Sequence, residues 1–169
     1  LSLRKLLPSL YYLFRDGNLE KDCRILCVSR KILLRDVFLE NVGDKLREYL
    51  DKDFDENTWQ KFSAILSYVD IDLSASSNWP KLEDYLNIDG KSSDRTIIYY
   101  LSVMPNLFAP ICRKLKENNL NPDFARLVAE KPLGENFETA LEVNEVLRES
   151  FEEKQIYRID HYLGKEAVQ

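Results

Sequence analysis

The chain has 169 residues, of which 44% are apolar and 31% charged, and a net charge of −5. That is enough apolar material for one domain with a real core, and the negative balance argues against non-specific nucleic-acid binding, which needs a basic face. No apolar run approaches the ~20 residues of a membrane span, and LSLRKLLPSLYYLF does not read as a signal peptide: its apolar positions are spaced, and no small-residue cleavage site follows. The first element is a helix with Leu3, Leu6, Leu7, Leu10, Leu13 and Phe14 at helical spacing, closed by Asp16-Gly17. Pro8 inside it implies an early kink or a late start. RILCVS (24–29) reads as a short buried strand. Two helices follow, Asp36 to Leu50 with Phe38, Val42, Leu46 and Leu50 on one stripe, and Asp55 to Leu66 with Trp59, Phe62, Ile65 and Leu66 facing inward. YVDIDL (68–73) alternates with period two, and Trp79 to Leu86 is a short helix.

RTIIYYLSVM (95–104) is apolar almost throughout, which predicts a strand covered on both faces. Leu107 to Lys116 is helical, ARLVAEK (125–131) is a strand, and Asn136 to Phe151 is a long helix burying Leu141, Val143, Val146 and Leu147. IYRID (156–160) is a final strand, and a helix opens after Gly164. Asp51–Asn57 and Asn87–Asp94 are polar enough for exposed loops. Strand–helix alternation of this kind means crossover units and a parallel sheet in an α/β fold. Cys23, Cys27 and Cys112 are an odd count without a CxxC pair, each in an apolar segment. They read as buried, reduced thiols of a cytoplasmic protein.

In open parallel sheets, ligands bind beyond the carboxyl ends of the strands. The four ends are Ser29-Arg30-Lys31, Met104-Pro105-Asn106, Lys131-Pro132-Leu133-Gly134, and Asp160 to Lys165. Three of the four carry cations on an acidic protein, a pattern that favours an anionic ligand. Arg30 offers a planar fork of donors and Lys31 a mobile point charge; the alternative is a solvated strand end. Pro132 keeps Lys131 extended, which stands it at the sheet edge; the alternative is a surface lysine in a turn. His161, the single histidine, is four residues from Lys165, so on a helical turn both face one way. With the Tyr162 hydroxyl they can satisfy a phosphate's oxygens; the alternative is a core histidine with its nitrogens capped.

These residues also carry a resemblance. DHYLGKE after Arg158-Ile159 resembles the substrate-binding signature of the glucose-6-phosphate dehydrogenases. Glu130 to Gly134 is similar to that family's coenzyme and substrate turn. Leu1 to Tyr11 resembles the helix after its glycine-rich loop, and Val28-Ser29-Arg30 stands where the family has its second strand and cofactor-reading arginine. The match runs from end to end in order, and the bacterial type looks nearest.

The resemblance implies a Rossmann-like, mostly parallel sheet with helices on both faces, in a cytoplasmic oxidoreductase of the pentose phosphate pathway. It oxidises glucose 6-phosphate at C1 to the 6-phosphogluconolactone, with NADP as cofactor. Arg30 would bind the NADP 2′-phosphate, Met104 and Pro105 would line the cofactor cleft, and Lys131 would sit between cofactor and sugar with a cis bond to Pro132. His161, Tyr162 and Lys165 would hold the sugar phosphate, Lys5 would approach the sugar, and Asp160 would orient the general-base histidine. The implied partners are glucose 6-phosphate and further copies in a dimer or tetramer.

The departures matter. The five glycines, Gly17, Gly43, Gly90, Gly134 and Gly164, build no glycine-rich loop, so no such loop places backbone N–H groups on a pyrophosphate. The general-base histidine would lie beyond Gln169, and His161 is not that residue. The chain therefore reads as residues 1–169 of a partial NADP-binding domain, without its first strand and without the C-terminal β+α domain. Such a sheet is expected to be discontinuous or completed by another copy, and such a fragment inactive by itself. A non-catalytic anion-binding or scaffold α/β domain is the alternative, and a charged α/β interaction module without a ligand is a third reading.

Overall fold

The computed structural model describes residues 5–72, 79–86, 95–130, 133–134 and 136–159. The chain divides into two compact units, Leu1–Asn78 and Trp79–Gln169. Among the described residues every strand pairing is parallel, and the strands form one two-stranded and one three-stranded sheet. The alternation of strand and helix thus gives the expected α/β architecture, with two separate sheets among the described residues.

In the first unit, α1 spans Leu7–Arg15. It has a late start: Pro8 sits in the first turn, where the missing N–H costs no helical bond. Strand β1 (Ile25–Ser29) pairs with β2 (Leu66–Asp70), and α2 (Arg35–Leu50) and α3 (Glu56–Ala64) lie between them in sequence. The 3.6-residue stripe on α2 buries Phe38, Val42, Leu46 and Leu50 as expected. They join Leu7, Tyr11, Trp59, Phe62 and Leu66 in one cluster. Tyr11 lies parallel to Phe54 and edge-on to Phe62, and its hydroxyl donates to the Asp55 carbonyl at 3.1 Å and accepts from the Asp55 N–H at 2.8 Å. Asp55 in turn caps α3 by accepting the Thr58 N–H at 2.7 Å.

Two expectations shift here. Leu66 is buried, but as the first residue of β2 and not the last turn of α3, so the strand starts two residues before YVDIDL. An apolar residue at a helix–strand junction satisfies both periodicities. The strand expected to be buried, β1, is half-buried at Ile25, Leu26 and Cys27, and Val28 is 40% exposed. It has one paired edge among the described residues.

In the second unit, α4 covers Trp79–Leu86, and β3 (Ile97–Leu101), β4 (Ala125–Glu130) and β5 (Ile156–Ile159) pair in that order. The crossover helices are α5 (Phe108–Glu117) and α6 (Phe137–Ser150). On β4, Ala125, Leu127 and Ala129 are fully buried while Arg126, Val128 and Glu130 are half-buried. The buried face looks to α6: Arg158, in register with Ala129, donates Nε–H to Asn144 at 3.1 Å, and Tyr99, in register with Leu127, packs edge-on to Phe151. The other face is thinner. Ile98 is 63% exposed, so β3 is not covered on both sides as its apolar run suggested. Leu141 is 48% exposed, off the α6 stripe of Val143, Val146 and Leu147. Gly164 and the Asn87–Asp94 loop lie outside the described residues.

Below the sheet, Gln155 is 3% exposed and joins two strand starts. Its amide donates to the Pro122 carbonyl at 2.9 Å and the Ala125 carbonyl at 3.0 Å, and its oxygen accepts the Glu152 N–H at 2.9 Å. This bonding fixes where β5 begins against β4.

Candidate functional site

The parallel pairing puts the carboxyl ends of β1 and β2 together in one unit, and those of β3, β4 and β5 together in the other. At the first, the turn after β1 is held by its backbone. The Lys31 N–H lies 3.4 Å from the Ser29 hydroxyl oxygen, and the Lys31 carbonyl accepts from Tyr68, whose ring stacks on Phe38 at 4.7 Å. The side chains of Arg30 and Lys31 are exposed and make no hydrogen bond or ion pair among the described residues. Two adjacent cations on a fixed strand end fit a phosphate ester. Lys5 is exposed in a wide turn leading into α1, and its carbonyl accepts the Ser9 hydroxyl at 2.8 Å.

At the second, Met104 is 64% exposed and its carbonyl accepts the Leu107 N–H at 2.9 Å, closing a 3-10 turn over Pro105–Leu107. Pro105, Asn106 and Pro110 face Leu133, Gly134 and Val143 across a cleft of about 440 Å³. Gly134 is seated on the start of α6. A methyl group there would lie 2.7 Å from the Thr139 hydroxyl and 2.8 Å from the Ala140 α-carbon. The same first turn is closed by a reciprocal cap, with the Asn136 side chain accepting the Thr139 N–H at 2.9 Å and the Thr139 hydroxyl accepting the Asn136 N–H at 3.1 Å. Arg113 and Glu142 form an exposed ion pair of 3.7 Å beside the cleft.

The structure therefore brings Pro105, beside Met104, together with the Leu133-Gly134 turn, and it puts Arg30 and Lys5 in the other unit. Lys131, Asp160, His161, Tyr162 and Lys165 lie outside the described residues. The thiols are free. Burial pushes Cys27 up to about 11 and Cys112 up to about 12, and raises Cys23 as well. These groups stay protonated near neutral pH and are poor nucleophiles. Among the described residues, no helix is long and apolar enough to cross a membrane.

Sequence reasoning missed a polar pair at the same strand ends. The Tyr100 hydroxyl on β3 donates to Glu130 Oε1 on β4. Burial first, then this bond and the nearby carboxylate, raise the Tyr100 pKa. The signal was present in the period-two rule: of the neighbours Tyr99 and Tyr100, one must face away from the packed side.

The sequence model described as "Glucose-6-phosphate dehydrogenase, NAD binding domain" matches residues 1–169. The glucose-6-phosphate 1-dehydrogenase of Rhizobium meliloti is 39% identical over 170 residues, covering 100% of this chain and 34% of that protein. The one from Leuconostoc mesenteroides is 35% identical over 173 residues, covering 100% of this chain and 35% of that protein. Among solved structures, a glucose-6-phosphate dehydrogenase in complex with its substrate glucose-6-phosphate superposes with a TM-score of 0.80 at 29% identity, over 98% of this chain and 35% of that one. Glucose-6-phosphate 1-dehydrogenase from Mycobacterium avium gives 0.78 at 28%, over 99% and 38%. The chain spans about a third of the length of the curated relatives it matches. Its dinucleotide is of the nicotinamide class. Matched by the family model over residues 1–169, the chain belongs to the glucose-6-phosphate dehydrogenase family, in its NAD-binding domain.

Proposed function

We propose that residues 1–169 are part of the coenzyme domain of a longer glucose-6-phosphate 1-dehydrogenase, completed by a C-terminal β+α domain and working as a cytoplasmic homo-oligomer. The observation that carries this is the family match over the whole chain, RIDHYLGKE included. The reaction is oxidation of glucose 6-phosphate at C1, and bound NADP supplies the hydride-accepting chemistry. Preference for NADP over NAD rests on Arg30 and Lys31, whose exposed cations suit a 2′-phosphate that a bare ribose lacks. Met104 and Pro105 line the cofactor side of the cleft. Lys131 lies between cofactor and sugar. His161, Tyr162 and Lys165 hold the sugar phosphate, and Lys5 is a further sugar-binding residue. Asp160 orients the histidine that takes the C1 hydroxyl proton, a residue beyond Gln169.

The test is NADPH formation from glucose 6-phosphate by the full-length protein that carries this chain, with residues 1–169 assayed in parallel. The full-length protein is expected to turn over and the fragment to be silent. A folded full-length protein that reduces neither NADP nor NAD with this sugar would overturn the reading. Fragment turnover near the full-length rate would overturn the division of labour.

A further inference from the structure

Tyr68 is the third residue of β2, in register with Cys27 of β1. Its ring stacks on Phe38 with centroids 4.7 Å apart, so it lies on the face of the first sheet that α2 covers. From there the phenol runs past the end of the β1–β2 ladder at Ser29 and Asp70, and its hydroxyl donates to the Lys31 carbonyl. The Ser29 carbonyl, for its part, accepts the Ile71 N–H at 2.9 Å. Arg30 is thus flanked by two residues whose carbonyls are held from β2 and the residue just after it, while its own guanidinium takes no part in the holding.

The plain alternative is a tyrosine placed for packing, whose hydroxyl bonds to whatever lies nearest. Two features speak against it. The ring is already anchored on Phe38, and Tyr68 is only half-buried, so water could satisfy the hydroxyl and burial does not demand this bond. The turn that the hydroxyl reaches also has little else to fix it. Of the apolar residues that follow Lys31, Ile32 and Leu34 are exposed and only Leu33 is half-buried, and the Ser29 hydroxyl at 3.4 Å is a weak acceptor for the Lys31 N–H. Among the described residues, the next side-chain hold along the chain is Arg35, which donates to the Ser63 and Leu66 carbonyls at 3.3 Å. One hydroxyl therefore sets how this turn, and the two cations it carries, stand at the strand end.

We propose that Tyr68 is a positioning residue for cofactor choice: by holding the Lys31 carbonyl it keeps Arg30 and Lys31 set for the 2′-phosphate of NADP. The inference rests on the reading of those two cations given above. Without the hydroxyl, water takes the Lys31 carbonyl and the turn samples other arrangements. Affinity for a ligand that needs the cations then falls with the fraction of molecules in which they are in place. A bare ribose does not need them and is bound as before.

Tyr68→Phe removes one oxygen and keeps the ring on Phe38, so it isolates the bond. In the full-length protein that carries this chain, kcat/KM is measured with NADP and with NAD, and binding of 2′,5′-ADP and of 5′-AMP is measured by calorimetry, with thermal midpoints as the check on folding. The expected result is a fall of about three- to tenfold in kcat/KM for NADP and in affinity for 2′,5′-ADP, the scale of one hydrogen bond, with NAD and 5′-AMP within twofold. Tyr12→Phe removes another hydroxyl of the same unit, one that donates to Asp53 at 3.0 Å, and is expected to leave the NADP-to-NAD ratio unchanged. In a background of Arg30→Ala with Lys31→Ala, Tyr68→Phe is expected to cost less than a further twofold, because the cations it sets are gone. An NADP-to-NAD ratio within twofold of the parent's, equal losses for both cofactors, or a loss that multiplies in full with the two alanine substitutions would overturn the proposal. Failure of the underlying reading shows separately: Arg30→Ala then leaves the ratio unmoved, or the folded parent reduces neither cofactor, and this inference goes with it.

Discussion

Gln155→Leu is the sharpest probe of how the second unit is held together. The substitution keeps a side chain of similar bulk, one atom shorter, and deletes three hydrogen bonds: two donated, to the Pro122 and Ala125 carbonyls, and one accepted from the Glu152 N–H. Neither carbonyl is orphaned by the change. Pro122 O still accepts the Ala125 N–H at 2.8 Å, and Ala125 O still accepts Arg126 Nη1 at 2.8 Å. The loss is therefore three net hydrogen bonds at about 1 kcal/mol each, and not three buried unsatisfied groups. Extra apolar burial by Leu offsets part of that, leaving a destabilisation of about 2–3 kcal/mol, read as a lower urea midpoint at unchanged slope.

Gln155→Glu extends the reasoning. It keeps an acceptor for Glu152 but turns the amide donor into a second oxygen facing two carbonyl oxygens. Burial and those carbonyls oppose the charge, so the new carboxyl titrates above its usual range. At neutral pH it is expected to be less stable than the Leu variant, with the deficit shrinking as pH falls and the protonated acid regains a donor. A Glu variant as stable as the parent at neutral pH would refute the assigned bond directions.

Gly134→Ala is expected to cost about 1–3 kcal/mol and to raise KM for NADP, because the methyl meets the Thr139 hydroxyl and the Ala140 backbone, and the backbone cannot swing aside. Thermal midpoint and kinetics of the full-length variant check both. Arg30→Ala is expected to weaken NADP about tenfold or more while leaving NAD nearly unchanged, measured as the ratio of kcat/KM values, since only the 2′-phosphate needs the guanidinium. Arg158, through its hydrogen bond first, holds the Glu153 carboxyl below its ordinary value, with the ion pair at 2.7 Å. That contribution to stability is present above the ordinary glutamate range and is lost as pH falls through the depressed value; Glu153→Gln is expected to flatten this part of the acid limb of urea midpoint against pH.

What the sequence determined by itself was local. Period fixed the type and order of the elements, because a helix stripe such as Phe38, Val42, Leu46 and Leu50 and a strand run such as ARLVAE each record which side of one element is wet. The order of the motifs also pointed to the family, since RIDHYLGKE and EKPLG are contiguous strings. Only the tertiary structure decided what depends on register and on coverage by distant residues. It put Glu130 on the same face as Tyr100, thirty positions away in sequence, seated Gly134 on the first turn of α6, and gave Gln155 its three partners. It also left Ile98 and Leu141 exposed against their apolar character. A side chain's chemistry is written at its own position, but its solvent is set by elements that arrive from elsewhere in the chain.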